Sequence, residues 1–211
     1  MTNLLRYTIT EETSADYLAT ETLTREAFWN VYRPGCVEHF LLRRFRTLEE
    51  FAPELSLCLR LDDGRIIGHI MYARAEIALD DGGTLPVGTF GPISVAPEFQ
   101  GQGYGTALLR ESMERARKFG FGALAITGAL GFYGKSGFVV AGTKGIRYHA
   151  EPNESVVPYF LIKELRDGFL KGVAGVFREP SGYDVEGVDI DAVDAEFPPK
   201  IKMKLPSQIF V

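Results

Sequence analysis

The sequence predicts a mixed α/β fold, in which an antiparallel meander leads into a parallel strand–helix–strand unit. In the first half of the chain, β-rich runs are separated by two short turns that both contain Asp-Gly. This pair supplies the positive φ that a tight hairpin needs. Residues 93–127 then read as an apolar run, a glycine-rich loop, an amphipathic segment and a second apolar run. The crossover of such a unit is right-handed, so its two strands are expected to be parallel.

Each element before the glycine-rich loop follows from periodicity and from local start and stop signals. The predicted elements are a strand at residues 7–10, helices at 15–29 and 37–51, and strands at 55–61, 66–79 and 89–95. Ser14 is the expected N-cap of the first helix. The last of these strands contains Gly91-Pro92. Because proline cannot donate to a ladder, pairing is expected to loosen there and to leave backbone groups free for a ligand.

After the loop, apolar side chains fall on one side of a helical segment and charged side chains on the other, and Gly120 ends it. The predicted elements are this helix at residues 106–119, a buried strand at 123–127, a short helix at 132–136 and a strand at 138–141. The pattern weakens from about residue 150. We therefore predict a domain at residues 1–150 and an extension at residues 151–211 that packs on the same domain.

Composition excludes several classes of function. The net charge is −5 and the isoelectric point about 5.3, so a basic surface that neutralises nucleic-acid phosphates is not expected. The two cysteines, Cys36 and Cys58, lack metal-ligand spacing, which argues against a metal site or a disulfide framework and favours a reducing compartment. With no leader pattern and no long apolar run, we expect a cytoplasmic protein that does not enter membranes.

The glycine-rich loop carries Gly101, Gly103 and Gly105 at alternate positions. Without Cβ atoms, the backbone can curl and point successive N–H groups at an anion. The helix that follows adds its own unpaired N–H groups and the positive end of its dipole. The stretch therefore predicts a pyrophosphate-binding loop. It lacks the Gly-Lys-Ser/Thr of a P-loop, and Thr106 stands where a dinucleotide-binding fingerprint has its last small residue.

Two segments resemble the GNAT superfamily of N-acetyltransferases. Residues 100–105, Gln-Gly-Gln-Gly-Tyr-Gly, are similar to its Gln/Arg-x-x-Gly-x-Gly/Ala signature, and residues 132–138, Phe-Tyr-Gly-Lys-Ser-Gly-Phe, to its Phe-Tyr-x-Lys-x-Gly-Phe segment. The resemblance implies that acetyl-coenzyme A (acetyl-CoA) lies between two splayed central strands. It implies coenzyme contacts from Ile93, Ser94, Val95, Gln100, Gly101, Gln102, Gly103, Tyr104, Gly105 and Thr106.

The resemblance also gives Tyr133 the role of general acid. A free thiol has a pKa near 8.5 and a phenol a pKa near 10, so a positioned tyrosine can protonate a departing thiolate. Phe132 and Phe138 are expected to hold its ring in an apolar wall. Many family members carry an asparagine after the preceding strand, where this chain has Gly128. The pantetheine contact of that asparagine is therefore expected to be lost or made by backbone.

An amine acceptor needs a base, because a lysine-like amine with a pKa near 10.4 is almost entirely protonated at pH 7. Glu38 is the candidate for a side-chain base, and His39, His69, Glu76 and a water relay are the alternatives. Aromatic and polar residues of the same stretch are candidate acceptor contacts. These are Trp29, Tyr32 and His39.

The sequence therefore predicts an N-acetyltransferase that transfers the acetyl group of acetyl-CoA to a primary amine by direct attack. No cysteine stands near Tyr133 or the glycine-rich loop in sequence to carry an acyl intermediate. The alternative is a non-catalytic acyl-CoA sensor or regulatory module, and a nucleotide-binding enzyme is a third reading. The acceptor is expected to be a small-molecule or peptide amine, and the acidic balance favours a cationic one. Oligomeric state is left open, with a homodimer as one option.

Overall fold

The computed structural model describes residues 5–154 and 156–209. Their contacts divide the chain into two units. Among the described residues, the first unit takes the chain up to Met71, Pro92–Leu109 and the residues from Gly182 onward. The second unit takes Tyr72–Gly91 and Arg110–Ser181. Within the described part of the chain, no helix is both long and apolar enough to cross a bilayer.

Helices and strands occur in mixed order along the described chain. The helices are α1 (Tyr17–Phe28), α2 (Glu38–Phe45), α3 (Tyr104–Phe119), α4 (Leu130–Tyr133) and α5 (Ile190–Asp194). The strands are β1 (Tyr7–Glu11), β2 (Phe51–Leu61), β3 (Ile66–Leu79), β4 (Thr84–Val95), β5 (Ala123–Thr127), β6 (Val139–Val140), β7 (Ile146–Tyr148), β8 (Phe160–Glu164) and β9 (Gly175–Arg178). Antiparallel and parallel pairs both occur, which confirms the predicted mixed α/β class.

In the first unit, the sheet begins with β1, which pairs antiparallel with β2. The predicted hairpin between β2 and β3 is present, closed by a hydrogen bond of 3.0 Å from the Leu61 N–H to the Arg65 carbonyl. Gly64 in this turn has a φ of 88°, a value that side chains with a Cβ rarely adopt. Just after β4, the Ala96 N–H donates to the Ile67 carbonyl of β3 at 2.9 Å. The glycine-rich loop thus starts from a fixed strand end.

In the second unit, β5 is the central strand. It pairs in parallel with β4, with Gly88 opposite Leu124, as the predicted strand–helix–strand unit requires. On its other side β5 pairs antiparallel with β8, and β8 pairs with β6. Within the described residues, Gly88 and Leu124 are the one residue pair in register between β4 and β5. β4 and β5 therefore share only a short stretch of ladder in this unit.

Residues beyond the predicted boundary at 150 contribute strands to the second unit. β8 lies between β5 and β6 in the sheet, and β9 pairs antiparallel with β3, with Ile77 opposite Phe177. The side chains of Phe160, Phe177 and Ile77 are fully or almost fully buried in one apolar cluster. The boundary between a domain and an extension stays a prediction.

Two predicted helix boundaries were wrong. The helix predicted at residues 37–51 ends at Phe45, because the amides of Thr47 and Leu48 bond to carbonyls three residues back and the chain is extended from Phe51. Ser14 is not the N-cap of α1, because it lies in a short 3₁₀ turn that precedes the helix and the N-cap of α1 is Asp16. Thr13 is the N-cap of that turn, where its N–H and hydroxyl both donate to Asp16 Oδ2.

A buried ion cluster joins β1, α1, α2 and β3 in the first unit. Arg46 donates to Glu12 Oε1 at 2.6 Å and to Glu21 Oε1 at 2.5 Å. His69 Nε2 lies 3.2 Å from Glu12 Oε1, and the side chains of both residues are at most 2% exposed. Burial raises the pKa of the Glu12 carboxyl, but the hydrogen bonds and charges of His69 and Arg46 outweigh it and hold that pKa well below its ordinary value.

We expect Glu12→Gln to lower the free energy of unfolding at pH 7 by about 3 kcal/mol, because it removes one partner of a buried ion pair. Ionised Glu12 stabilises the fold above its unfolded pKa of 4.5, and this contribution is lost as the pH falls from there towards the lowered folded value. The variant should therefore lose part of the wild-type decline in stability below pH 4.5. Urea unfolding between pH 7 and 3 measures both effects.

Glu11→Gln is the matched control, because Glu11 is the exposed residue next to Glu12, at the end of β1. It should leave both the stability at pH 7 and the acid decline unchanged. If Glu12→Gln and the wild type gave superimposable curves, the role assigned to the ion cluster would be wrong.

Candidate active site

In the loop between β4 and α3, the amides from Gly101 onward differ from those of Ala96, Phe99 and Gln100, which bond to backbone carbonyls. Gly101 and Gly103 have φ values of 71° and 105°, in the left-handed region that favours glycine. The first hydrogen bond of α3 runs from the Ala107 N–H to the Gly103 carbonyl at 3.0 Å. In the described part of the chain, no backbone carbonyl accepts from the amides of residues 101–106. These donors and the positive end of the helix dipole together can hold a diphosphate.

Three side chains of the predicted coenzyme loop bond to the protein itself. Gln100 Nε2 donates to the Val95 carbonyl at 3.0 Å, and Gln102 Nε2 donates to the Glu98 carbonyl at 2.7 Å. Tyr104 is 1% exposed, and its hydroxyl accepts from the Leu5 N–H at 2.9 Å. A coenzyme contact from these three residues would therefore come from the backbone, while their side chains fix the shape of the loop.

At the end of β4, the polar groups that a ligand could reach belong to the backbone and not to side chains. Ser94 is 2% exposed, and its Oγ lies 3.0 Å from Thr24 Oγ1 on α1. Its hydroxyl is thus used within the core of the first unit. Ile93 and Val95 on either side are half-buried. Before this stretch, Gly91 has a φ of 147°, so the strand is distorted at the predicted Gly-Pro step.

Tyr133, the predicted acid, closes α4 in the second unit. Its half-buried ring lies in an aromatic wall, with centroid distances of 4.9 Å to Phe132, 5.7 Å to Phe138 and 5.8 Å to Phe90. The contacts with Phe132 and Phe138 agree with the sequence-based expectation. Phe90 was not singled out from the sequence, because nothing in a strand pattern shows which loop an apolar residue will meet.

Gly128 explains why the ring of Tyr133 can take this position. A Cβ atom at Gly128 would lie 2.4 Å from Tyr133 Cε2, which is closer than real Cβ contacts come. The Gly128 N–H donates to the Tyr159 carbonyl at 2.8 Å, so the backbone there has little freedom to retreat. The departure from the asparagine of the family thus makes room for the candidate acid.

Glu38, the predicted base, opens α2 in the first unit. Its Oε2 accepts from the Val37 N–H at 2.9 Å. Burial raises the pKa of its carboxyl, against the lowering effect of backbone amides and of the Arg33 charge. Burial and the charge of Glu38 also raise the pKa of the Tyr32 phenol, so Glu38 and Tyr32 are electrostatic neighbours. Tyr32 is 41% exposed, which leaves it open to a ligand.

The protein's own groups surround two other predicted acceptor residues. His39 is 1% exposed, with Nδ1 3.3 Å from Cys36 Sγ and Nε2 3.6 Å from Asp194 Oδ1. Burial lowers the pKa of His39 to about 4. Trp29 donates its indole N–H to the Ile201 carbonyl at 3.0 Å. Contacts of His39 and Trp29 with the acceptor stay predictions.

The two remaining base candidates lie elsewhere. Glu76 is exposed on β3, in register with Arg178 of β9. His69 belongs to the ion cluster, where Glu12, Cys58 and His69 bring possible metal-ligand atoms within 4.8 Å of one another. Arg46 already supplies the counter-charge of Glu12, and burial raises the pKa of the Cys58 thiol to about 12. These three residues are therefore poorly suited to a cation.

We expect Gly128→Ala to lower the free energy of unfolding by about 1 to 3 kcal/mol, because the new methyl group overlaps the ring of Tyr133. Gly131→Ala is the matched control. Gly131 lies in α4, the short helix that contains Tyr133, and nothing stands within 4 Å of its added Cβ atom. The stability of Gly131→Ala should therefore equal or slightly exceed that of the wild type. Urea unfolding of the two variants decides the point, and equal stability of both would contradict the close packing of Tyr133 on Gly128.

Comparison with known proteins agrees with the motifs. The chain matches the Acetyltransferase (GNAT) family over residues 23–138, more than half of its length. It is 27% identical to the uncharacterized N-acetyltransferase YhbS of Escherichia coli K12 over 122 residues, which is 58% of this chain and 70% of YhbS. It is 35% identical to the uncharacterized N-acetyltransferase YjhQ of the same strain over 98 residues, or 46% and 53% of the two chains.

Solved structures share the fold. The structure of E. coli YhbS in complex with CoA has a TM-score of 0.73 at 23% identity, covering 87% of this chain and 94% of that one. A GNAT family acetyltransferase from Brucella melitensis in complex with acetyl-CoA has a TM-score of 0.67 at 23% identity, covering 85% and 99%. The motifs, the match to the family and the common fold agree, and the chain belongs to the GNAT family of acetyltransferases.

Proposed function

We propose that this protein transfers the acetyl group of acetyl-CoA to a primary amine by direct attack, with Tyr133 as the general acid. The observation that carries the proposal is the run of amides at residues 101–106 that no carbonyl of the described chain occupies. In a chain of the GNAT family, such a run suits the diphosphate of the coenzyme. The acceptor is an amine of a small molecule or a peptide, and the net charge of −5 favours a cationic one.

Two further observations support acetyl-CoA as co-substrate. Each contact of a helix terminus with an anion contributes about 0.3 to 1 kcal/mol when exposed, so several amides together give affinity without a lysine in the loop. Relatives with the same fold are described as complexes with CoA and with acetyl-CoA. We assign the diphosphate to the amides of residues 101–106 and the pantetheine to the backbone of Ile93 and Val95. Bound acetyl-CoA supplies the reactive thioester.

Tyr133 is proposed to give its phenolic proton to the sulfur that leaves. The aromatic wall of Phe90, Phe132 and Phe138 supports this role, because a ring held on several sides keeps its hydroxyl in one orientation. A phenol with a pKa near 10 can protonate a thiolate whose conjugate acid has a pKa near 8.5 at little cost. General acid catalysis of this kind contributes about 10² to 10⁴ in rate.

Glu38 is proposed to take the proton of the amine. A lysine-like amine pays about 4 to 5 kcal/mol to be neutral at pH 7, so a base on the acceptor side lowers the barrier. Burial raises the pKa of Glu38, and a base acts best when its pKa approaches the working pH. Tyr32, exposed beside this carboxylate, is proposed to contact the acceptor.

Direct attack is favoured over an acyl-enzyme by the state of the two cysteines. Cys36 and Cys58 are both buried, and burial raises the pKa of each thiol to about 12. The thiolate is the nucleophilic form, so neither residue is suited to carry an acetyl group.

We expect Tyr133→Phe to lower kcat by about 10² to 10⁴ while the Kd of CoA stays within about twofold, because the variant removes the phenolic hydroxyl and keeps the ring. Thiol release from acetyl-CoA with a panel of spermidine, tyramine and Nα-acetyl-lysine amide measures kcat, and calorimetry with CoA measures Kd. Tyr159→Phe is the control, since the Tyr159 hydroxyl donates to Glu151 and has no proposed part in the reaction. Binding of CoA without turnover of any amine by the wild type would favour an acyl-CoA sensor instead.

We expect kcat/KM of the wild type to fall as the pH drops through the raised pKa of Glu38, because the base acts only when ionised. The acid limb should therefore lie above pH 4.5, the ordinary carboxyl value. Glu38→Gln should remove this limb and lower kcat by about 10² to 10⁴. Glu54→Gln, an exposed carboxyl on β2, should change neither. A Glu38→Gln profile with the wild-type acid limb would assign the proton to another group or to water.

A further inference from the structure

The segment at residues 200–209, here called the strap, is fastened to the loop between α1 and α2 in the first unit. This loop covers residues 29–37 and carries Tyr32. Most strap residues are exposed and lie outside any helix or strand. Instead of a strand ladder, side-chain hydrogen bonds, ion pairs and one backbone bond from Ile209 hold the strap.

Asn30 is the centre of this attachment. It is 6% exposed and has a φ of 60°, the one non-glycine residue of the described chain in the left-handed region. Its Nδ2 donates to the Ile201 carbonyl at 3.0 Å, and its Oδ1 accepts from the Met203 N–H at 3.0 Å and from the Gly35 N–H at 2.9 Å. Its own N–H donates to the Gly35 carbonyl at 2.8 Å. A single side chain thus joins the two ends of the loop to the strap.

Gln208 completes the attachment from the strap side. It is 7% exposed, and its Nε2 donates to the Asn30 carbonyl at 3.0 Å and to the Met203 carbonyl at 2.9 Å. Its Oε1 accepts from the Leu205 N–H at 2.9 Å. Buried amides with every group paired are costly to break, since each group left without a partner costs about 1 to 3 kcal/mol.

Trp29 lies under the same segment. Its indole N–H donates to the Ile201 carbonyl at 3.0 Å, and the guanidinium of Arg25 lies 4.3 Å from its ring centroid. Lys200 Nζ lies 5.4 Å from the centroid and 2.6 Å from Glu26 Oε2. Because Trp29 is the single tryptophan of the chain, tryptophan fluorescence reports on this one site, where the indole contacts the strap.

The strap also reaches the proposed acceptor residue. The Ile209 N–H donates to the Tyr32 carbonyl at 3.1 Å, so the backbone of Tyr32 is fixed by the strap on one side. The loop then runs on to Glu38 at the start of α2, which is the electrostatic neighbour of the Tyr32 phenol.

We infer that the strap, through Asn30 and Gln208, positions Tyr32 on the acceptor side of the reaction and thereby sets the affinity for the amine. The inference rests on the proposed function. Asn30 and Gln208 are positioning residues that touch neither the amine nor the coenzyme. A loop held in one conformation does not lose entropy again when it binds a ligand, so release of the strap raises KM for the amine.

Gln208→Glu tests the inference with almost no change in size. The new carboxylate keeps the acceptor for the Leu205 N–H but faces the carbonyls of Asn30 and Met203 without a proton to donate. Lys204→Gln is the matched control, because it changes a charge on the same exposed segment without touching the attachment. Gln208→Ala, which removes the same donors without adding a charge, is the second variant if Gln208→Glu does not fold by circular dichroism and urea unfolding.

We expect Gln208→Glu to move the Trp29 emission to longer wavelength and to raise acrylamide quenching at least twofold. KM for the best of spermidine, tyramine and Nα-acetyl-lysine amide should rise at least fivefold, with Kd for CoA and kcat within twofold of the wild type. Lys204→Gln should match the wild type throughout. Unchanged Trp29 fluorescence, or released fluorescence with an unchanged KM, overturns the inference alone, whereas a wild type that acetylates no amine overturns the proposed function and the inference together.

Discussion

Backbone amides that find no partner inside the protein are the constraint on which the candidate site depends. Such groups must be satisfied by water or by a ligand, and at the start of α3 residues 101–106 present a run of amides that no carbonyl of the described chain occupies. The glycines allow the curl, while Gln100 and Tyr104 bond to Val95 and Leu5 and keep it in shape. Anion binding by dipoles needs no cationic side chain in the loop, which is compatible with a net charge of −5.

In the second unit, the absence of a side chain at Gly128 makes room for the ring of Tyr133. Gly128 stands where the resemblance to the family leads one to expect asparagine, and the ring of Tyr133 fills the space that a side chain there would take. Close packing of the candidate acid thus depends on glycine at this position. Phe90, Phe132 and Phe138 complete the surroundings of the ring, so that packing fixes its orientation.

In the first unit, paired polar groups hold helices, strands and one segment without regular structure in place, in addition to hydrophobic packing. The cluster of Glu12, Arg46 and His69 ties strands to helices in the core, and the Asn30 attachment ties a segment without regular structure to a loop. A buried polar group is tolerated only when its partners are in place, so each network admits few alternative arrangements. Arg25 adds a third such contact with Asp194 at 2.6 Å, which holds α5 against α1.

The sequence by itself determined the fold class and the position of the glycine-rich loop, and it pointed to Tyr133 as the candidate acid, because periodicity, turn residues and short motifs are local properties. It also pointed to Phe132 and Phe138 around that ring. It misplaced the end of α2, since Phe51 and Ala52 are buried at the start of β2 and burial of this kind is decided by tertiary packing. Only the tertiary structure could bring Ser94 to Thr24, Phe90 to Tyr133 and Gln208 to Asn30. These partners lie far apart in sequence, and no local pattern records which distant group will satisfy a buried donor or fill a gap beside a ring.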